Sequence, residues 1–345
     1  MTSEILQSQT CEPNTSWDGF SLQELKHMRS GVMSTLADYV TTFGQSMLRE
    51  YGERVHKIAI DADFTCPNRD GSKGRGGCSF CNNVSFSPNG IQPAAIPAQI
   101  KAGKNVIRRR TRAQRYIAYF QAYTNTYANI DKLREAYDQA LAQSDVIGLS
   151  VGTRPDCVSL AVIKLLADYQ AAGFDIWLEL GLQSSFDDTL ARVNRGHDFT
   201  EYHQAVEIAH KYGLKVCTHL MLGLPGEGKS HACTTLQRVL TQDVEGLKIH
   251  PLHVVKGTQL ANQWRRGEYT PLEFTDYIDT VCDLIEMTPV EVVYHRLTGT
   301  ASADILLAPA WCGKKWQVLN AIKTELRQRN TCQGAYKGSD RICQH

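Results

Sequence analysis

Short apolar runs rich in β-branched residues alternate with segments of helical period along most of the chain. Strands are predicted near 57–61, 116–121, 146–151, 175–182, 214–222, 247–254 and 290–296. Such alternation signals parallel βαβ units, an α/β fold, and about six units fit an open or partial (β/α) barrel. The helices between carry their own punctuation. The segment 198–212 opens on Asp198 with Glu201 three residues later, a capping-box pattern, and stops at Gly213. The helix around 157–171 ends before Gly173 and hands over to the run DIWLELGL. Residues 1–20 are polar without sustained period and are expected to form a mobile tail, followed by a core over 21–255 and a C-terminal extension over 256–345.

In parallel α/β folds ligands gather at the C-terminal ends of the strands. That rule selects Cys66 after the first strand, Tyr123 to Thr126 after the second and Gly152 to Asp156 after the third. Gln183 with Ser184, and then Gly223 to Glu227, follow the next two.

At 345 residues one dominant core is expected, and no run of about 18 apolar residues suggests a membrane span. The N-terminus lacks a basic start followed by an apolar stretch, so a cytoplasmic location is expected. There the 11 cysteines would be reduced, which leaves metal ligation or burial. A net charge of +1 excludes nothing, but its distribution is uneven: no acidic residue falls between Asp70 and Asp131. Lys101, Lys104, Arg108 and Arg112 share one helical face in that island, with Arg109 and Arg110 beside it, a face expected to attract phosphates. A solvated helix is the plainer reading of the same residues.

The segment DFTCPNRDGSKGRGGCSFCNN places Cys66, Cys78 and Cys81 on one Gly-rich loop leaving the first strand. Glycines let the backbone fold back so that three thiolates meet. The spacing between Cys78 and Cys81 serves zinc and iron–sulfur sites alike. No His or Cys follows within ten residues of Cys81, so a fourth ligand position looks open, as in a cubane with one iron left for another molecule. Three buried structural cysteines, or a zinc site completed by a distant residue such as His56, remain alternatives.

The stretches CPNRDG, GRGGCSFCN, YFQAYTNT, VGTRPDC, WLELGLQS, NRGHDF, GLPGE, HPLHVVKG and YHRLTG make residues 40–335 resemble the YhcC-like radical S-adenosylmethionine family. More distantly the chain is similar to the radical core of the elongator catalytic subunit and to oxygen-independent coproporphyrinogen oxidases. The resemblance implies a partial (β/α)6 TIM-like barrel with a C-terminal extension and one 4Fe-4S cluster on Cys66, Cys78 and Cys81. It also implies reductive cleavage of S-adenosylmethionine to a 5′-deoxyadenosyl radical, fed by a low-potential donor such as flavodoxin or ferredoxin. It names no substrate. By position it places Phe80 beside the adenine, Tyr123 and Thr124 where relatives receive the methionine amine, and Gln183 and Arg195 on the cofactor. Glu179 shares an inward face with Gly181 and Gln183, suited to a ribose contact or to a buried salt bridge.

The chain departs from the family where Ala62-Asp63-Phe64 stands for Gly-Gly-Phe, which brings a carboxylate toward the cluster, and where Gln121-Ala122-Tyr123-Thr124 lacks a Gly-Gly pair. The run Gly223 to Ser230 matches a phosphate loop formally, but Pro225 and the preceding strand fit the barrel better. His295 and Arg296, at the end of the last strand, are candidates to hold an anionic substrate. Three functions compete: a radical enzyme on RNA, which the basic island favours; one on a small metabolite; and a non-enzymatic iron–sulfur or zinc redox sensor. The last leaves the strand-end motifs without a role.

Overall fold

The computed structural model describes residues 35–82 and 93–336; the predicted tail 1–20, Cys11 and Cys343 lie outside them. Helix α1 (Phe43–Tyr51) leads into strand β1 (Val55–Ile60). Then follow α2 (Ile96–Thr111), β2 (Arg115–Phe120), α3 (Ile130–Leu141), β3 (Val146–Thr153), α4 (Leu160–Ala171) and β4 (Asp175–Gln183). Next come α5 (Asp187–Arg192), α6 (Phe199–Lys211), β5 (Lys215–Leu222), α7 (Lys229–Leu240) and β6 (Gly246–Pro251). The rest comprises β7 (Val254–Val255), α8 (Gln259–Arg265), α9 (Phe274–Met287), β8 (Val293–Arg296), β9 (Leu306–Ala308) and α10 (Lys315–Gln328).

Seven strands form one sheet in the order β1-β2-β3-β4-β5-β6-β8, every neighbouring pair parallel. This is the curled half-barrel that the alternation predicts. Along β4 the positions Ile176, Leu178, Leu180 and Leu182 belong to the apolar core shared with the helices, while Trp177, Glu179 and Gly181 take the other face. The inner face is polar at mid-height, because Lys57 of β1 reaches Glu179 of β4 across the concave side. Helix α1 plugs the lower end: Phe43 and Met47 pack with Val55, Ile117, Trp177, Cys217 and Val293, residues of five strands.

Boundaries shift where local chemistry overrides period. The predicted strand 247–254 splits after Pro251, and Val254–Val255 pairs antiparallel with β9 in a separate two-stranded sheet. The helix predicted from 157 starts at Leu160, because Pro155–Cys157 makes a 3-10 turn and the Ser159 side chain accepts from the Val162 N–H. Asp198 and Glu201 form the expected capping box on α6. Among the described residues no helix is long and apolar enough to cross a membrane.

Candidate functional site

The cysteine loop is built by local turns and then tied to the barrel rim. Pro67–Asp70 forms one helical turn after Cys66, with Pro at its start and Gly71 ending it. Gly77 sits at φ +80°, and a Cβ there would meet Arg69 Nε at 3.1 Å, so this turn needs glycine. The buried Asn68 amide donates to the Asn194 carbonyl at 2.7 Å and to the Arg195 carbonyl at 3.0 Å, while the Asn194 amide donates back to the Gly77 carbonyl at 2.8 Å. The motifs CPNRDG and NRGHDF are thus two halves of one clamp. A second tie is ionic: Lys73 of the loop meets Asp156 at 2.8 Å, and Asp156 also takes Arg154 through both its oxygens at 2.9 Å.

All three cysteines face one cavity of about 180 Å3 at the C-terminal ends of the strands. Phe80, Tyr123, Thr124, Gln183, Arg195 and Arg296 line it as well, so most of the residues singled out from sequence come together there. Gly152 and Gly181 form part of its wall. A Cβ on Gly181 would fall 2.6 Å from Arg195 Nη2 and 2.9 Å from Gln183 Nε2, so the absent side chain is what lets both reach the cavity. Arg195 donates to the Gly181 carbonyl at 2.6 Å and to Cys78 Sγ at 3.5 Å. Burial pushes the Cys81 thiol up to about 11, the Cys78 sulfur beside it adds to the shift, and Arg69 and Arg195 oppose it.

These sulfurs suit a cluster better than a zinc ion. Tetrahedral zinc with Zn–S near 2.3 Å holds its sulfurs about 3.8 Å apart. Among the described residues the one group of three potential ligands whose atoms all lie within 4.8 Å of one another is Glu179, Cys217 and His219, and the three loop cysteines form no such group. Thiols that share a cavity at wider spacing match a cubane, which takes each thiolate on a different iron.

Arg154 belongs to the strand-end stretch Gly152 to Asp156 that the sequence selects, but nothing there gives it a role of its own. It is 2 % exposed, lines the cavity, and its buried Nη1 has no hydrogen-bond partner among the described residues. Its motif VGTRPDC was legible, but nothing in the alternation of β3 shows that the first residue after the strand turns inward with a spare donor.

Below the cavity lies an ionic layer. Glu179 is fully buried and takes Lys57 Nζ at 2.6 Å, His219 Nε2 at 2.8 Å and Lys248 Nζ. Burial works against its charge, but the Lys248 and Lys57 ammoniums hold the carboxyl well below the usual range. Burial also lowers Lys248, to about 7, against the pull of Glu179. Of the two roles open to Glu179, the geometry shows the buried salt bridge, and its side chain does not line the cavity. His295 belongs to the same layer: Nδ1 lies 2.9 Å from Lys57 Nζ, and the ring packs between Phe43 and Trp177. It lies below the cavity that Arg296 lines, because Tyr294 pairs with Leu247 and Arg296 with Lys248, which leaves His295 as the extra residue of a bulge and breaks the usual alternation. Asp63 is exposed at φ +54° and does not line the cavity.

The basic island needs a correction. Helix α2 runs down to the start of β2, so Arg108, Arg109 and Arg112 sit at the N-terminal edge of the sheet, opposite the cysteines. Arg54, just before β1, donates to the Thr111 carbonyl there. Nor is the face free of acid: Asp145 pairs with Lys104 and, at 3.5 Å, with Arg108.

The chain matches the Radical SAM superfamily over residues 70–239 and the Radical_SAM C-terminal domain over 244–328. It is 48% identical to Protein YhcC of Escherichia coli (strain K12) over 281 residues, covering 81% of this chain and 90% of that one. It is 34% identical to the tRNA uridine(34) acetyltransferase of Dehalococcoides mccartyi (strain CBDB1), over 55% of this chain and 40% of that one. Among solved structures, the archaeal Methanocaldococcus infernus Elp3 with an N-terminal deletion shares the fold with a TM-score of 0.59 at 19% identity, over 81% of this chain and 64% of that one.

Proposed function

The chain belongs to the radical SAM superfamily and is a radical SAM enzyme, and from that premise we propose that Cys66, Cys78 and Cys81 hold its 4Fe-4S cluster and that S-adenosylmethionine occupies the cavity they line. When bound, the cluster supplies the electron that splits S-adenosylmethionine into methionine and a 5′-deoxyadenosyl radical. The observation that carries this reading is the convergence of three thiols from one loop with Arg195 and Gln183 on a single cavity at the strand ends.

The chain's own residues supply binding and orientation. Arg195 and the spare Nη1 of Arg154 offer donors suited to the methionine carboxylate. Tyr123 and Thr124, beside Gln121, line the cavity and would receive the amine. Phe80 and Met221 supply apolar surface for the adenine. A low-potential protein such as flavodoxin or ferredoxin fits as electron donor. Anaerobic reduction of the reconstituted protein with S-adenosylmethionine is expected to yield 5′-deoxyadenosine. Iron-loaded protein that yields none would refute the reading.

A second reading, that the substrate is RNA, is supported by the likeness to a tRNA uridine(34) acetyltransferase and by the exposed Lys101, Arg109 and Arg110. Arg109 and Arg110 stand at the end of the barrel away from the cavity, while Lys101 lies nearer the start of α2. Replacing Arg108, Arg109, Arg110 and Arg112 by Gln should flatten the salt dependence of RNA affinity. Wild-type protein with no salt-sensitive RNA binding would end this reading.

A further inference from the structure

A second cavity, of about 250 Å3, adjoins the first and shares Phe80, Gln121, Met221, His250 and Arg296 with it. Its other walls come from beyond β6: His253, the loop Thr298–Ala301, and Lys315 at the start of α10. A Cβ on Gly299 would lie 2.7 Å from His250 Nδ1 and 3.3 Å from His253 Cε1, so this loop closes on the two imidazoles only as glycine. The volume lies below the range typical of drug-sized ligands and suits a compact metabolite.

The charge of this chamber is one-sided. Arg296 and Lys315 line it, and among the described residues no carboxylate does. Among the described residues neither forms an ion pair. Burial lowers the Lys315 ammonium, and the Arg296 charge lowers it further. His253 Nε2 is buried with no hydrogen-bond partner. Burial holds His253 near 4, and His250 is held well below its ordinary range, so both rings are neutral at pH 7 and offer N–H groups rather than charge. Two cations lining one cavity, with an unmet imidazole beside them, form a site incomplete without an anion.

Building on the radical SAM reading, we infer that the substrate is a small organic anion whose carboxylate or phosphate lies between Arg296 and Lys315, in the chamber beside the cofactor cavity. This gives the C-terminal segment a share in the site: Arg296 ends the last strand of the sheet, and Lys315 opens α10. The adjoining cavities place such a molecule next to the space where the radical would form.

Calorimetry on the cluster-loaded protein, with inorganic phosphate in one arm and acetate in the other, tests this inference. Saturable one-to-one binding of at least one anion is expected, weakened about tenfold or more in R296Q and in K315Q, the loss that follows removal of one charge-assisted contact. Lys315 is on the surface of α10, so K315Q decides the matter if R296Q fails to fold. A short single-stranded RNA that displaces phosphate at far lower concentration would assign the anion to a nucleic acid and overturn the small-molecule inference. Failure of both anions to saturate, or equal affinity in wild type and K315Q, would overturn it too. The iron–sulfur absorbance of the same samples reports on the radical SAM reading separately: its absence fails that reading whatever the anion result.

Discussion

Replacing Glu179 by Gln keeps the side chain's shape and removes the carboxylate that pairs with Lys57 and Lys248 in the ionic layer. The carboxylate is fully buried, so water cannot take its place, and removing one partner of such a pair costs about 3–5 kcal/mol. Unfolding entropy of about 2.1 cal/mol/K per residue, over 345 residues, is about 0.7 kcal/mol/K, so the melting temperature should fall by about 4–7 °C. The pH dependence gives a second handle. Lys248 titrates near 7 in the folded protein, below its unfolded value of about 10.4. Between those values the unfolded chain binds more protons, so stability rises with pH through this window. Without Glu179 the folded value drops further, the variant gains more from alkali than wild type does, and the gap between them should narrow from pH 7 to pH 9. Differential scanning calorimetry at several pH values reads both effects. A drop below about 2 °C, or a gap that widens with pH, would refute the reasoning. E179Q combined with K248M should recover part of the loss, because it removes a buried amine that the single variant must hold without a carboxylate partner.

Single replacement of Cys66, Cys78 or Cys81 by Ala should abolish iron–sulfur absorbance after anaerobic reconstitution, while Cys217 and Cys282, buried elsewhere, should tolerate the change with absorbance intact. Gly181→Ala should weaken S-adenosylmethionine binding about tenfold or more in equilibrium dialysis, because its Cβ would displace Arg195 and Gln183, while iron content stays normal. Arg195→Ala and Gln183→Ala should each weaken the same binding, and an unchanged dissociation constant in both would remove them from the site. Asn68→Ala leaves the Asn194 and Arg195 carbonyls without their donor and should lower the melting temperature by about 1–4 °C, from roughly 1–3 kcal/mol of lost hydrogen bonding.

The strands were legible because each is a short β-branched run between strong helix punctuation, and the strand-end rule then brought most of the site together without coordinates. What escaped came from contacts between distant segments. Asp145 neutralises Lys104 and Arg108 from more than thirty residues along the chain, so the island looks free of acid only in one dimension. His295 and Arg296 are neighbours in sequence yet serve different layers, since one faces Lys57 and the other the cavities. Lys315 was passed over and Arg154 was selected only within the stretch Gly152 to Asp156, because one lies at a helix start and the other in a turn, positions for which periodicity predicts no direction.

Strand β4 shows how one period-2 run holds the whole design. Reading up its inner face, Trp177 packs on the plug, Glu179 anchors the ionic layer, Gly181 makes room, and Gln183 reaches the cavity. A parallel strand covered on both faces would ordinarily be apolar throughout. The polar and small residues here break that rule on one face alone, where stability is given up for function. The electrostatic sense of the exchange is uniform. Lys57 and Lys248 outnumber Glu179 below the cavity, and Arg69 and Arg195 stand beside the cysteine sulfurs. With the proposed cluster on these cysteines, positive charge on both sides would stabilise added negative charge. A site arranged in this way would favour the arrival of an electron, and Arg296 and Lys315, in no ion pair among the described residues, extend the same positive field into the chamber where an anion would sit.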